Sequence, residues 1–251
     1  MKNQDLYNYI LGIADNSLIL GQRLGELCGH GPNLETDIAL TNIALDLFGQ
    51  TRSYYQYAAR IAGDGKTEDD VAMLRVERDY KNVLLVEQPN THFGHVIARQ
   101  YLFDVFHLLL MTELQNSKDE TLAAVARKGI KEVSYHQRFS GDWLKRLGDG
   151  TEESRTKMQE AIDHFWPYTA ELFDTTESDQ KMIKSGIGVD VSLLKESYYK
   201  EVTETLEEAT LDVPENPYFK KGGKQGIHTE HMGFLLTELQ YMQRTYPNMS
   251  W

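Results

Sequence analysis

Apolar positions along this chain recur with alternating steps of four and three, the spacing of one face of an α-helix. In the first segment Leu6, Ile10, Ile13, Ser17, Leu20, Leu24 and Leu27 form one stripe, and Leu11, Ala14, Leu18, Gly21 and Gly25 form a second beside it. The pattern predicts a helix from about Asp5 to Cys28, stopped by Gly29-His30-Gly31-Pro32. Two stripes imply more than one packing neighbour, and the glycines imply close helix approach. Asn33 caps a second helix, predicted over Leu34 to Ala62 and stopped by Gly63-Asp64-Gly65. A short helix over Glu68 to Arg78 follows, then an irregular stretch ending in Gln88-Pro89-Asn90. A third long helix is predicted from Thr91 to Gln115, and a fourth runs from the turn at Ser117-Lys118-Asp119 to Leu147. Further helices are expected over Glu153 to Phe173 (kinked at Trp166-Pro167), Ser192 to Thr210 and Gly226 to Tyr246.

No segment alternates with the period of a strand, and there are no repeats. The expected fold is all-α: a four-helix bundle of the ferritin-like kind, with a crossover between the second and third long helices and additional C-terminal helices packed onto it. Residues 1–251 read as a single domain. The 6 prolines favour this over a strand-and-turn fold.

The formal net charge of −12 argues against nucleic acid as a partner, since phosphate contacts need a clustered basic surface. Cys28 is the lone cysteine, which excludes an intrachain disulfide and any Cys-rich metal site. The start lacks the pattern of a signal peptide and no apolar run is long enough to span a bilayer, so the expected location is the cytoplasm, with no membrane partner.

A bundle of long helices raises the question of a di-metal carboxylate site, which takes a Glu from each of two helices and a Glu-x-x-His pair from each of the other two. The outline is present and broken. Asp46 stands where a Glu ligand belongs, but Gly49 sits where its His should be. Asp104 and His107 share a face of the third helix. On the fourth, Glu132 is followed three residues on by Tyr135, and His136 is preceded three residues back by Val133. Without the full carboxylate set two metal ions would not be charge-balanced. The favoured reading is a hydrogen-bonded polar centre of Asp46, Asp104, His107, Glu132 and His136, with no metal, cofactor or catalytic residue. A degraded metal site is the alternative. The run Gly226-Ile227-His228-Thr229-Glu230-His231 has the wrong spacing for a helical His pair and reads as capping and packing. Two irregular segments suit an anionic ligand. One is Arg75 to Asn82, where cations lie beside an aromatic; the other is Gln180 to Lys184.

The runs LGQRLGELCGHGPNLETDIALTNIALDLFGQ, LLVEQPN, ARQYLFD, IKEVSYHQRFSGDWLKRLGDGT and GGKQGIHTEHMGFLLTELQYMQRTYP resemble the structural C subunit family of the bacterial phenylacetyl-CoA 1,2-epoxidase, from Asp5 to Trp251. The resemblance implies a ferritin-like subunit without iron that pairs with a paralogous catalytic subunit. In that family the di-iron centre belongs to the catalytic subunit, which epoxidises phenylacetyl-CoA, and a reductase component with FAD, iron–sulfur and NADPH supplies electrons. The CoA portion of the substrate is expected along the subunit boundary. The matching positions are Asp79, Tyr80, Lys81, Asn82, Gln180, Lys181 and Met182. An independent ferritin-like di-metal oxidase or oxygenase with an atypical ligand set is the competing expectation.

Overall fold

The structure, a computed structural model, describes residues 3–215, 218–247 and 249, so both ends of the expected 1–251 unit, Trp251 included, lie outside the described residues. Among the described residues there are ten α-helices and no strand. The bundle consists of α1 (Gln4–Glu26), α2 (Leu34–Ala62), α4 (Phe93–Leu114) and α5 (Glu120–Gly148). α1 packs along α2, α4 along α5, and α2 against α5. α6 (Glu152–Phe165) and α8 (Lys195–Glu208) cover α4 and α5, and α7 (Glu177–Ser185) lies on α1. α3 (Glu68–Met73), α9 (Glu230–Leu239) and α10 (Tyr241–Thr245) are short. The buried apolar side chains form one contiguous cluster running from Leu6 to Leu236.

The long helices form for local reasons. The Asn33 side chain accepts from the amide of Thr36 at 2.9 Å, and Gly63, at φ 63°, ends α2 in the left-handed conformation. In between, α2 runs for about 43 Å. α4 buries apolar residues on every side, from Val96 and Ile97 to Leu110 and Met111, as befits a helix packed by α5, α6 and α8. Both stripes of α1 are used within the chain. A Cβ on Gly21 would lie 2.9 Å from Phe48 Cε1, so the glycine admits α2, while the opposite side faces α7 and the crossover. The doubled striping is therefore core, and does not make α1 a free surface.

Several boundaries differ from the sequence pattern. α1 stops at Glu26. The helix expected over Glu68 to Arg78 ends at Met73, and Glu77–Asp79 is a 3-10 turn. The kinked helix over Glu153 to Phe173 is α6 followed by a 3-10 stretch, Trp166–Phe173, because Pro167 has no N–H to continue α6. Gln180 to Lys184 is not irregular but lies in α7, which starts with a capping box of Thr176 and Asp179 and ends at Gly186, φ 78°. The helix expected from Ser192 opens as a 3-10 turn, Val191–Leu194. The one expected from Gly226 starts at Glu230, because Gly226 is left-handed at φ 78°, and it breaks at Gln240.

The crossover from Tyr80 to Gln88 is the largest departure. It is buried apart from the half-buried Lys81, yet it is neither helix nor strand. Its backbone groups must therefore find side-chain partners. Lys81 N donates to Asp15 Oδ2 at 2.7 Å, Val83 N to Asn16 Oδ1 at 2.8 Å, and Leu84 N to Glu171 Oε2 at 2.8 Å. Arg23 donates to the carbonyl of Glu87 from Nε and Nη2, and Arg99 donates to that of Gln88. Asp15 is gripped in turn by Arg75 (2.6 and 2.9 Å) and by Tyr55. This crossover is one wall of the site described next.

Candidate functional site

Besides the network that fastens the crossover, polar side chains gather at the bundle centre and in the cleft between α1 and α7. At the centre, His136 Nε2 lies 3.0 Å from Asp46 Oδ2. Glu132 accepts from Gln50 at 3.1 Å, and Asp104 accepts from Gln100 at 2.7 Å and Ser140 at 2.8 Å. Burial pushes Asp104 up to about 8. Burial, with His136 nearby, pushes His107 down to about 3. His136 is lowered by burial too, against the pull of Asp46. Both ring nitrogens of His107 are buried without a hydrogen bond, and its ring lies against Phe103 at 5.2 Å between centroids.

These donors do not fit a di-metal centre. Each carboxylate answers a neighbour of its own, and the glutamines and Ser140 occupy places where a metal pair would need further acid. Gly49 lies exposed on the outer face of α2, and Gln50 is the residue that reaches Glu132. Val133 is buried and apolar, and Tyr135 is 40% exposed. Among the described residues no group of three or more His, Cys, Asp or Glu side chains is arranged to hold a metal ion.

The second place is a cavity of about 210 Å³ between α1, the start of α7 and the crossover. Tyr9, Ile13, Phe106, Leu110, Val189 and Val191 give it apolar walls. Asn16, Lys81, Lys224 and the first turn of α7 give it a polar end. Gly12 also lines it, and a Cβ there would meet nothing within 4 Å, so the helix leaves space open at this point. Of the two segments singled out in the sequence only the first reaches the cavity, through Lys81; no residue of Gln180 to Lys184 lines it, and Thr176 to Asp179, which precede that segment, do.

The seven predicted positions have different fates. Lys81 reaches the cavity. Asp79 is exposed beside it, its carboxylate accepting from Val76 N at 3.3 Å. Tyr80 is fully buried, with the Arg75 guanidinium 4.1 Å over its ring and Gln240 donating to its hydroxyl at 2.8 Å, so it has no face to offer a base. Asn82 is buried and donates to Glu87 at 2.9 Å. Gln180 is exposed, and Met182 is packed into the core. Lys181 is exposed and paired with Asp5 at 3.2 Å and Glu177 at 2.9 Å. The cation that joins Lys81 is Lys224, which the sequence pattern had not marked. Its ammonium donates to the carbonyls of Leu172 and Asp174, and burial holds it below the usual lysine range.

The run around His228, expected to cap and pack, forms no cap, since Thr229 makes no side-chain hydrogen bond to the first turn of α9, and is instead hydrogen-bonded to Glu87. His228 Nδ1 lies 2.8 Å from Glu87 Oε2 and Nε2 lies 3.1 Å from the carbonyl of Tyr80, while Thr229 donates to Glu87 through its amide and hydroxyl. Two acceptors face the two ring nitrogens, which suits the protonated ring. Burial opposes that charge, but Glu87 outweighs it and the pKa of His228 is raised.

Fold and centre together define a class: a ferritin-like helical bundle with a cluster of polar side chains at its middle. The chain belongs to the phenylacetic acid catabolic protein family, whose model matches residues 1–251. It is 51% identical over 243 residues to the Escherichia coli (strain K12) protein named as the C subunit of 1,2-phenylacetyl-CoA epoxidase, covering 97% of this chain and 98% of that one. No helix among the described residues is long and apolar enough to cross a membrane.

A histidine with a raised folded-state pKa stabilises the fold fully below its unfolded value of about 6.5, and that contribution fades as pH rises through the folded value. His228→Ala is therefore expected to cost more stability near pH 6 than well above the folded pKa. Denaturant midpoints across that range check this; a loss independent of pH would mean the ring is neutral in the fold.

Proposed function

We propose that this chain is the non-catalytic structural subunit of a multicomponent phenylacetyl-CoA 1,2-epoxidase acting in phenylacetate catabolism in the cytoplasm. It pairs with and stabilises a ferritin-like catalytic subunit that carries di-iron, and a reductase component with FAD, iron–sulfur and NADPH feeds that centre. The observation that carries the reading is the bundle centre, where Gln50, Gln100 and Ser140 satisfy the acids that a metal pair would otherwise claim. The identity to an epoxidase subunit over nearly the whole of both chains supports the reaction named.

The chain also helps to hold the CoA part of the substrate at the subunit boundary, without performing chemistry. CoA is strongly anionic and this protein carries a net charge of −12, so contact requires local cations. Lys81 at the mouth of the α1–α7 cavity, backed by Lys224, meets that need. Flat groups of the ligand lie against Ile13, Val189 and Val191, since the ring of Tyr80 is covered.

Within the assembled complex, Lys81→Ala is expected to raise KM for phenylacetyl-CoA several-fold with kcat unchanged, as for a lost contact of about 0.5–1 kcal/mol made equally in ground and transition states. Lys181→Ala, removing a lysine already paired with Asp5 and Glu177, should change KM less. Steady-state kinetics decide: an unchanged KM for Lys81→Ala in an intact complex removes the CoA role, and a collapsed kcat removes the non-catalytic one.

The competing reading, an independent di-metal oxidase with an atypical ligand set, draws on the same five acids and histidines at the bundle centre. Elemental analysis of the chain purified after aerobic expression in iron-rich medium separates the two. Far less than one iron per chain is expected; about two per chain, with oxygen-dependent turnover, would establish the oxidase.

A further inference from the structure

The polar end of the α1–α7 cavity holds a lysine without a counter-ion. Three carboxylates act on Lys224, those of Asp179, Glu171 and Asp174, and each is engaged elsewhere. Asp179 accepts from the amide of Thr176 at 2.7 Å, and Asp174 is paired with Lys221 at 2.8 Å. Glu171 accepts from the backbone amides of Leu84, Gly222 and Lys224. The Lys224 side chain donates instead to the carbonyls of Leu172 at 3.1 Å and Asp174 at 2.6 Å. An ammonium has three N–H groups, and these acceptors take two of them. The neutral amine has only two, so the same pair of carbonyls satisfies it and leaves its lone pair free. Burial holds the pKa of Lys224 down, with Lys221 pushing the same way against the three carboxylates. A lysine desolvated like this is a nucleophile.

The cavity's volume of about 210 Å³ compares with the roughly 150 Å³ of an apolar cavity that takes up one benzene ring. A ring with a short arm fits it, and the phenylacetyl group is of that size. Tyr9, Ile13, Phe106 and Val191 wall it for such a ring, while Lys224 and Lys81 stand at the polar end. We propose that Lys224 is an acylation site: a thioester carrying a small aryl-acyl group enters the cavity acyl end first, and the Lys224 amine takes the acyl group from it. The lone pair forms a bond to the thioester carbonyl carbon, the C–S bond breaks, and the thiol leaves with a proton from the nitrogen. The products are an amide on Lys224 and a free thiol, and nothing is oxidised or reduced. The amide carries no charge and its ring fills the apolar end, so a modified chain admits no further ligand there. The choice of acyl group rests on the reading of this cavity as a contact for phenylacetyl-CoA; the reactivity of the amine does not.

Incubating the full chain with phenylacetyl-CoA, or with the phenylacetyl thioester of N-acetylcysteamine, and following each lysine by peptide mass spectrometry tests this. Both thioesters are expected to acylate Lys224 several-fold faster than the exposed Lys128 and Lys184. The unreactive amide N-ethylphenylacetamide should slow the labelling of Lys224 alone. Gly12→Leu keeps the amine but puts a side chain into the open space on α1, and should slow Lys224 several-fold with Lys128 unchanged, circular dichroism confirming the fold. Acylation of Lys224 no faster than that of the exposed lysines, or at a rate that the amide leaves untouched, would overturn the proposal, even where Lys81→Ala raises KM in the complex and the CoA contact stands. Selective labelling of Lys224 by both thioesters at one rate, unaltered by Lys81→Ala, would uphold the acylation site and remove the CoA contact.

Discussion

A buried stretch of irregular backbone has to be satisfied by side chains, and much of this molecule is arranged around that requirement. The crossover between the two helix pairs passes through the interior instead of around it. Its N–H groups and carbonyls are met by Asp15, Asn16, Arg23, Arg99 and Glu171. Each such group left unpaired would cost about 1–3 kcal/mol, and stranding a buried charge by removing its partner about 3–5. Against a typical net stability of about 5–15 kcal/mol, the loss of any one member removes a substantial fraction. Three carboxylates do most of the joining. Asp15 ties α1 and α2 to the crossover through Tyr55, Arg75 and Lys81. Glu87 ties it to the C-terminal arm through His228 and Thr229, and braces Asn82 within the crossover. Glu171 gathers the amides of Leu84, Gly222 and Lys224.

The same network explains why the cleft has the shape it has. Lys81 is held at the cavity mouth because its own amide is fixed on Asp15, and Lys224 is held there because its amide is on Glu171. The ring of Tyr80, one residue away, is turned inward under Arg75. The bundle centre shows the opposite use of polar groups. There Asp46, Glu132 and Asp104 are paired locally with His136, Gln50, Gln100 and Ser140, and join no loop to another. A ferritin-like frame persists around a centre whose acids are paired locally, while His107, expected to share in that hydrogen bonding, has no partner on either ring nitrogen.

Three of the four long helices, α1, α2 and α5, were legible because each carries a stripe of period 3.6 over 23 to 29 residues, while α4, apolar on every side, was legible from its length between turn signals. The broken donor pattern was legible for the same reason, although Gly49 proved to face outward and Gln50 inward. α7 was not: it has nine residues and a single buried one, Met182, so it shows capping residues but no stripe. The crossover was not, because Val83-Leu84-Leu85-Val86 is apolar without a period and its satisfying partners lie far away in sequence. Tyr80 illustrates the limit. An aromatic between charges reads as a stacking surface, and only the tertiary placement of Arg75 and Gln240 shows that both its ring and its hydroxyl are taken. Lys224 was missed because a lysine in a glycine-rich run gives no sign of which cavity it will enter.

If the crossover is fastened as firmly as this, it must open only when the whole molecule opens. Native-state hydrogen exchange of the Lys81, Val83 and Leu84 amides measures that directly. The account predicts that all three exchange with the free energy of global unfolding, alongside the core amides of α4. Exchange through a low-energy local opening, with α4 still protected, would show that the acids decorate this segment without holding it.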